Sequence, residues 1–201
     1  MATVTQQIAN VRTKFHRDPN AEAISDQTIL LYLNQVQDWI ETEVILPAMQ
    51  DSAYIDLVDG TREYSVDSDL FKLVLVRYNT NDWVLKEEPF LTLQKRFAES
   101  TGTPQEYYVW GNKIGFYPEP DANETGTDTT GIKYWYFRTL RELVESGAGA
   151  GQVTTSEVPE NFHWVLEAGA GMLMAQEVQD EAKESRFQDM YLKGIERLKA
   201  R

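Results

Sequence analysis

The spacing of hydrophobic residues changes along this chain, and the change limits what the chain can fold into. Near the N-terminus Val4, Ile8, Val11 and Phe15 recur at steps of four, three and four, which is one face of a helix. "RDPN" breaks that stripe. A second begins at Ser25, a good cap, with Asp26 in the first turn. Ile29, Leu33, Val36 and Ile40 continue one face, Leu30 and Trp39 widen it, and Pro47 marks its end. The period then shortens. "AYIDLVDGTREYSV" reads as a strand, an Asp59-Gly60 turn and a returning strand.

The middle of the chain keeps this character. "LFKLVLVRYN" is a strand, Asn79 to Asp82 a turn, and "WVLKE" its continuation. "PFLTLQKRFAES" predicts a short helix that follows Pro89 and stops before Gly102. "YYVWGNKIGFYPEP" supplies two strands around Gly111-Asn112, and "GIKYWYFRTL" follows a polar loop. "SGAGAGQVTTSE" reads as a flexible connector. Pro159 then opens a helix to about Val178. In a last helix Phe187, Tyr191, Ile195 and Leu198 share one face.

This order predicts an α+β fold: terminal helices packed as a bundle, with an antiparallel β-rich region inserted between them. The expected organisation is a single domain over 1–201. It has N-terminal helices in 1–48, a β-rich insertion with one short helix in 52–140, a flexible connector in 146–157 and C-terminal helices in 158–201. A chain of 201 residues, 42% hydrophobic, suits one domain with a real core.

The net charge is −13, from 19 Lys and Arg against 32 Asp and Glu. A free nucleic-acid binder needs a basic footprint that the whole chain lacks. An acidic surface can still border nucleic acid as a wall that does not hold it. There is no cysteine, so disulfides and thiolate zinc sites are excluded. "MATVTQQIANVRTKFHRD" reads as neither a secretory signal nor a membrane span. The last helix departs from the acidic balance with Lys183, Arg186, Lys193, Arg197, Lys199 and Arg201. Cations suit a helix C-terminus, and a basic amphipathic end also suits an acidic partner surface.

Catalytic patterns are sparse. Glu160 and His163 form one Glu-x-x-His, whereas di-iron bundles use two plus further glutamates; a helix start with a half-exposed histidine explains it. His16, before Pro19, reads as a solvated helix end. No Gly-x-Ser-x-Gly elbow is present. "SGAGAG" lacks the Gly-Lys-Ser/Thr ending of a phosphate loop. Asp121, Asn123, Glu124 and Asp128 in "DANETGTDTTG" offer calcium-type oxygens without the spacing of a twelve-residue calcium loop. A glycosidase carboxylate pair is a matter of separation in space. The expectation is no enzyme, no metal and no cofactor.

The aromatic residues are the more pointed feature. Tyr108, Trp110 and Tyr117 need not share a face with Tyr107, Val109, Ile114 and Phe116, and Tyr134 to Phe137 are four rings in a row. Both sides of such a sheet need covering. Helices can take one side. A ligand or a second subunit can take the other, or it stays exposed. Tyr108, Trp110, Tyr117 and Trp135 are the subunit-interface candidates.

In this order, "ILLYLNQVQDWIE", "LFKLVLVRYN" and above all "LTLQKRFAESTGTPQEYYVWGNKIGFYPEP" resemble the head-to-tail adaptor proteins of tailed bacteriophages. That family likewise has a helix, a Gly-x-Pro, a Tyr-rich strand, a short turn and a strand ending in Tyr-Pro-x-Pro. "VPENFHWVLEAGAGMLMAQ" is similar to its late helix, and the likeness runs from about Asp26 to Glu177. The resemblance implies a non-enzymatic virion protein of the neck, made in the bacterial cytoplasm. It would form a ring, usually of twelve copies, docked under the portal and continuing the DNA channel. Its partners would be the portal protein, a downstream neck or tail protein, further copies of itself and genomic DNA that passes without specific binding, with no membrane involved. Carried onto this chain, the portal contacts would be Arg186, Lys193, Arg197, Lys199 and Arg201. Gly169 and Gly171 would mark a close backbone approach. Two other readings stand beside it: a carbohydrate-binding or cell-wall-degrading protein, and another neck or tail component such as a stopper or tail-tube protein.

Overall fold

The computed structural model describes residues 2–16, 24–96 and 100–200, with the backbone alone for Phe15 and His16. The chain divides into two compact units. One comprises the described residues of 1–48 and 140–201, and the other residues 49–139. The class is α+β, with helices from both ends of the chain in the first unit and strands in the inserted second.

In the first unit, α1 (Val4–Asn10) starts at a capping box in which Thr3 and Gln6 satisfy each other's backbone N–H. It continues as a π-helical stretch, Val11–His16. The predicted cap of α2 (Asp26–Glu43) is present, with Ser25 accepting from the Thr28 N–H. The predicted stripe Ile29, Leu33, Val36 and Ile40 is fully buried. After a 3-10 turn, Glu160–Phe162, comes α4 (His163–Glu177), buried on nearly every side. A helix apolar all round belongs at the centre of a core, and α4 touches α1, α2 and α5 (Glu181–Lys199). Small residues allow this. A Cβ on Gly169 would meet Val36, and one on Gly194 would meet Val165. The close approach expected at Gly169 is therefore made by a side chain of α2.

Side chains of α2 also hold an extended segment. Asn34 exchanges two hydrogen bonds with the backbone of Leu143, at 2.8 and 3.1 Å. Gln37 donates to the Arg141 carbonyl and Glu41 accepts from the Leu140 N–H. These bonds hold residues 140–143, just before the stretch 146–157 expected as a flexible connector. The short parallel pair β9 (Glu142–Leu143) and β10 (Gln152–Val153) brackets its glycines. Val4 donates to the Thr154 carbonyl just beyond.

The second unit is built of two sheets. The first has the order β1-β8-β3-β4: β1 (Gln50–Ile55), β8 (Ile132–Arg138), β3 (Leu70–Tyr78) and β4 (Trp83–Val84). The second has the order β2-β7-β6-β5: β2 (Glu63–Ser65), β7 (Lys113–Tyr117), β6 (Glu106–Trp110) and β5 (Lys86–Glu87). Their inner faces share one core, with Val76, Tyr134 and Tyr136 from the first and Tyr107, Ile114 and Phe116 from the second.

Two sequence expectations meet the structure differently. The turn at Gly111 closes the β6–β7 hairpin as predicted, with Trp110 opposite Lys113. The Asp59-Gly60 turn also forms, with Gly60 at φ 71°. The strands on either side of it do not pair, however. β1 pairs with β8 and β2 with β7. Turn chemistry sets the local reversal, while pairing with β8 and β7 in separate sheets decides the partners.

Candidate functional site

Three surfaces carry the candidate residues. The first is the exposed side of α5. Steps of seven and four place Arg186, Lys193 and Arg197 within about 40° of arc and about 16 Å of length. Phe187, Tyr191, Ile195 and Leu198 are buried on the other side. Burial pushes the Tyr191 phenol up to about 12. Lys193 bonds Asp189 one turn back at 2.6 Å, and Lys199 pairs with Glu43 of α2. Arg186 and Arg197 are exposed and make no ion pair among the described residues. Arg201 lies outside the described residues. Beside Lys199 a groove of about 490 Å³ runs between Trp39 and Leu192.

The second surface is the outer side of the β6–β7 hairpin. Pairing puts Tyr108 opposite Gly115, Trp110 opposite Lys113 and Tyr117 opposite Glu106. The side left to a ligand, a second subunit or solvent is partly covered by the unit's own short helix, α3 (Phe90–Gln94). Phe90 lies 5.1 Å from the Tyr108 ring and stacks on Trp110 at 4.7 Å. Tyr108 is interior, 1% exposed, and its hydroxyl donates to Glu63 at 2.8 Å. That bond holds the Glu63 carboxyl below the usual range, and burial raises the phenol. Tyr117 is half-buried under Arg96, which sits 4.4 Å from its ring centroid and bonds Glu106 at 2.7 Å. Trp110 remains 61% exposed, and Leu91, next to Phe90 in the chain, 68%.

The third surface is the outer face of the first sheet. Trp135 and Phe137 alternate there with Tyr134 and Tyr136, which point into the core. Lys133 sits over both Trp135 and Tyr54. The register slips twice along β3, between Leu70 and Lys72 and between Leu73 and Leu75. The slips throw Phe71 and Val74 outward, and Val74 is 54% exposed. A groove of about 280 Å³ lies between Val74, Trp135 and Phe137, with Asp51 on its wall.

Other chemistry noted in the sequence has structural duties. His163 is buried, its Nε2 2.8 Å from the Val158 carbonyl; it is not the half-exposed residue expected. The His16 side chain is outside the described residues. In the polar loop, Glu124 accepts from Tyr78, Thr80 and the Gly131 N–H, and Asn123 accepts from the Asp59 N–H. Asp128 pairs with Lys133 at 2.8 Å. Among the described residues no three His, Cys, Asp or Glu side chains gather as metal donors. No described helix is long and apolar enough to cross a membrane.

Sequence reasoning missed Phe90, Leu91 and Val74. Pro89 marked the short helix. Nothing local told which strand face that helix would cover, or that β3 would bulge. The family model described as SU10 adaptor protein matches residues 2–201. A search of curated proteins found no match.

Proposed function

The chain belongs to the SU10 adaptor protein family, and on that premise we propose that it forms a ring of twelve copies docked beneath the portal of a tailed phage. The ring extends the DNA channel toward the tail, and the protein resides in the neck of the virion. The family match over nearly the whole chain carries this reading. It favours the adaptor role over a glycan-binding protein, a stopper or a tail-tube protein.

The geometry supports specific roles. Arg186, Lys193 and Arg197 on α5, with Lys199 and Arg201 near its end, form the contact with an acidic surface of the portal. Arg186 and Arg197 reach it without breaking an ion pair among the described residues. The two units act together as one adaptor domain. Trp110, Tyr117 and Trp135 lie at contacts between copies, whereas Tyr108 is left to the interior. A net charge of −13 lets DNA pass without being held.

The test is to mix the purified protein with the portal encoded beside its gene and weigh the product by native mass spectrometry. The expected product is a discrete complex with one copy per portal subunit. An intact portal that takes up no copies would remove the reading.

A further inference from the structure

We infer that α1 and the π-helical stretch after it form a releasable strap: residues 3–14 lift off α4 while α2, α4 and α5 stay folded together. The inference lies within the first unit and does not depend on a ring or a portal.

The polarity of the seam leads to it. At its centre α4 meets α2 and α5 through small and apolar side chains, Gly169 against Val36 and Val165 against Gly194. Against the strap the contacts are polar. Asn10 donates to Glu167 at 2.7 Å, and Lys14 pairs with the same carboxylate at 3.3 Å. Glu167 is buried, Lys14 exposed. Both partners that the carboxylate has among the described residues belong to the strap. Burying a carboxylate costs about as much as its new partners return, so this part of the seam adds little net hold.

Gln7 is the weak point. It stands one turn before Asn10 and is fully buried. Neither its amide nitrogen nor its amide oxygen has a hydrogen-bond partner among the described residues. Closed, both groups forgo water and gain no bond in return. When the strap lifts, water satisfies both. Gln7 therefore favours opening. Val4, Ile8 and Val11, all buried, oppose it and keep the closed form dominant.

The backbone of the strap points the same way. The two helical stretches together span Val4–His16, a length at which an isolated helix is marginal in water. The π-helix is a rare form, frequent at functional sites. Within it the Thr13 hydroxyl donates to the Ala9 carbonyl at 2.9 Å, competing for an acceptor of the helix itself. The remaining fastenings among the described residues lie toward the surface. Val4 donates to the Thr154 carbonyl, and Arg12 pairs with exposed Asp26. Exposed ion pairs hold weakly. An element fastened in this way belongs to the low-stability end of a fold, which opens without the rest.

Hydrogen exchange on the full-length protein, resolved along the chain by mass spectrometry, is the test. Amides of residues 8–14 should be protected at least about a hundredfold less than those at the centre of α4, and insensitive to low denaturant. Equal protection that falls together in both regions as denaturant is added would overturn the inference. Ile195→Val separates local from global opening. Ile195 is buried in α5, so its truncation weakens the whole unit. Protection should fall in α4 and α5 and stay as it was in residues 8–14. A matching fall in residues 8–14 would show that the strap opens only with everything else, which is the opposite result. Gln7→Leu removes both unpartnered atoms at nearly constant volume, with circular dichroism as the check of folding. Protection of residues 8–14 should then rise about tenfold. A folded variant whose strap is protected no better than that of the wild type would also overturn the inference. None of these measurements needs a portal, so this inference can fail while the ring reading stands, and the reverse.

Discussion

Gly169 of α4 faces Val36 of α2 so closely that a Cβ on the glycine would lie 2.5 Å from Cγ1 of the valine. Val36 is fully buried, and a β-branched side chain in a helix has essentially one rotamer. It cannot swing aside. Gly169→Ala would gain about 1 kcal/mol of helix propensity but lose about 1–3 kcal/mol to overpacking. The expected net effect is destabilisation of about 1 kcal/mol, read from the denaturant midpoint. Combining it with Val36→Ala should cost less than the sum of the two single changes. Simple additivity would show that the two helices separate freely.

Gly115 poses the same problem in a sheet. An added Cβ would overlap the ring of Tyr108, directly opposite on β6. That ring is buried against Phe90 and tied to Glu63. Gly115→Ala should expel the ring, break the Glu63 bond and loosen α3, at about 2–3 kcal/mol. Loss of near-ultraviolet circular dichroism together with a lowered unfolding midpoint is the expected signature.

Alkaline pH should destabilise the protein as its raised phenols are driven to ionise. Burial first, and carboxylate neighbours second, raise Tyr32 and Tyr78 to about 12. Tyr107 and Tyr191 are likewise raised to about 12, chiefly by burial. The unfolded phenol ionises near 10, so above that pH the unfolded state binds fewer protons than the native one. Stability from these groups is therefore complete below about pH 10 and is lost progressively toward about pH 12. Denaturant midpoints measured across that window should fall steadily, and tyrosinate absorbance should lag behind that of free tyrosine. A flat profile would contradict the burial of these rings.

The exposed stripe of α5 should act in binding and not in folding. Arg186→Glu with Arg197→Glu removes no ion pair made among the described residues, so thermal stability should fall only by what Arg197 contributes in the last turn of α5, about 1 kcal/mol. Portal affinity should fall about tenfold or more at low salt, and the difference should shrink as salt screens the charges. Lys199→Glu is a useful contrast because it also opposes Glu43 and should lower stability slightly. Unchanged portal binding by the Arg186/Arg197 variant would move the contact elsewhere on the chain.

Much of this molecule was readable before any coordinates. The stripes Ile29-Leu33-Val36-Ile40 and Phe187-Tyr191-Ile195-Leu198 are the buried faces of α2 and α5, and the Ser25 cap and Gly111 turn are where they were predicted. These features depend on residues a few positions apart, so local periodicity and backbone preference suffice to place them. The partnership of the strands was not readable. Asp59-Gly60 makes its turn, yet the strands beside it join separate sheets. Pairing is decided by which long-range match buries most apolar surface, and no local signal contains that information. The aromatic residues show the same division. Their alternation announced two faces. Only the tertiary structure sent Tyr108 inward over Gly115, covered that side with Phe90, and left Trp110 and Val74 outside.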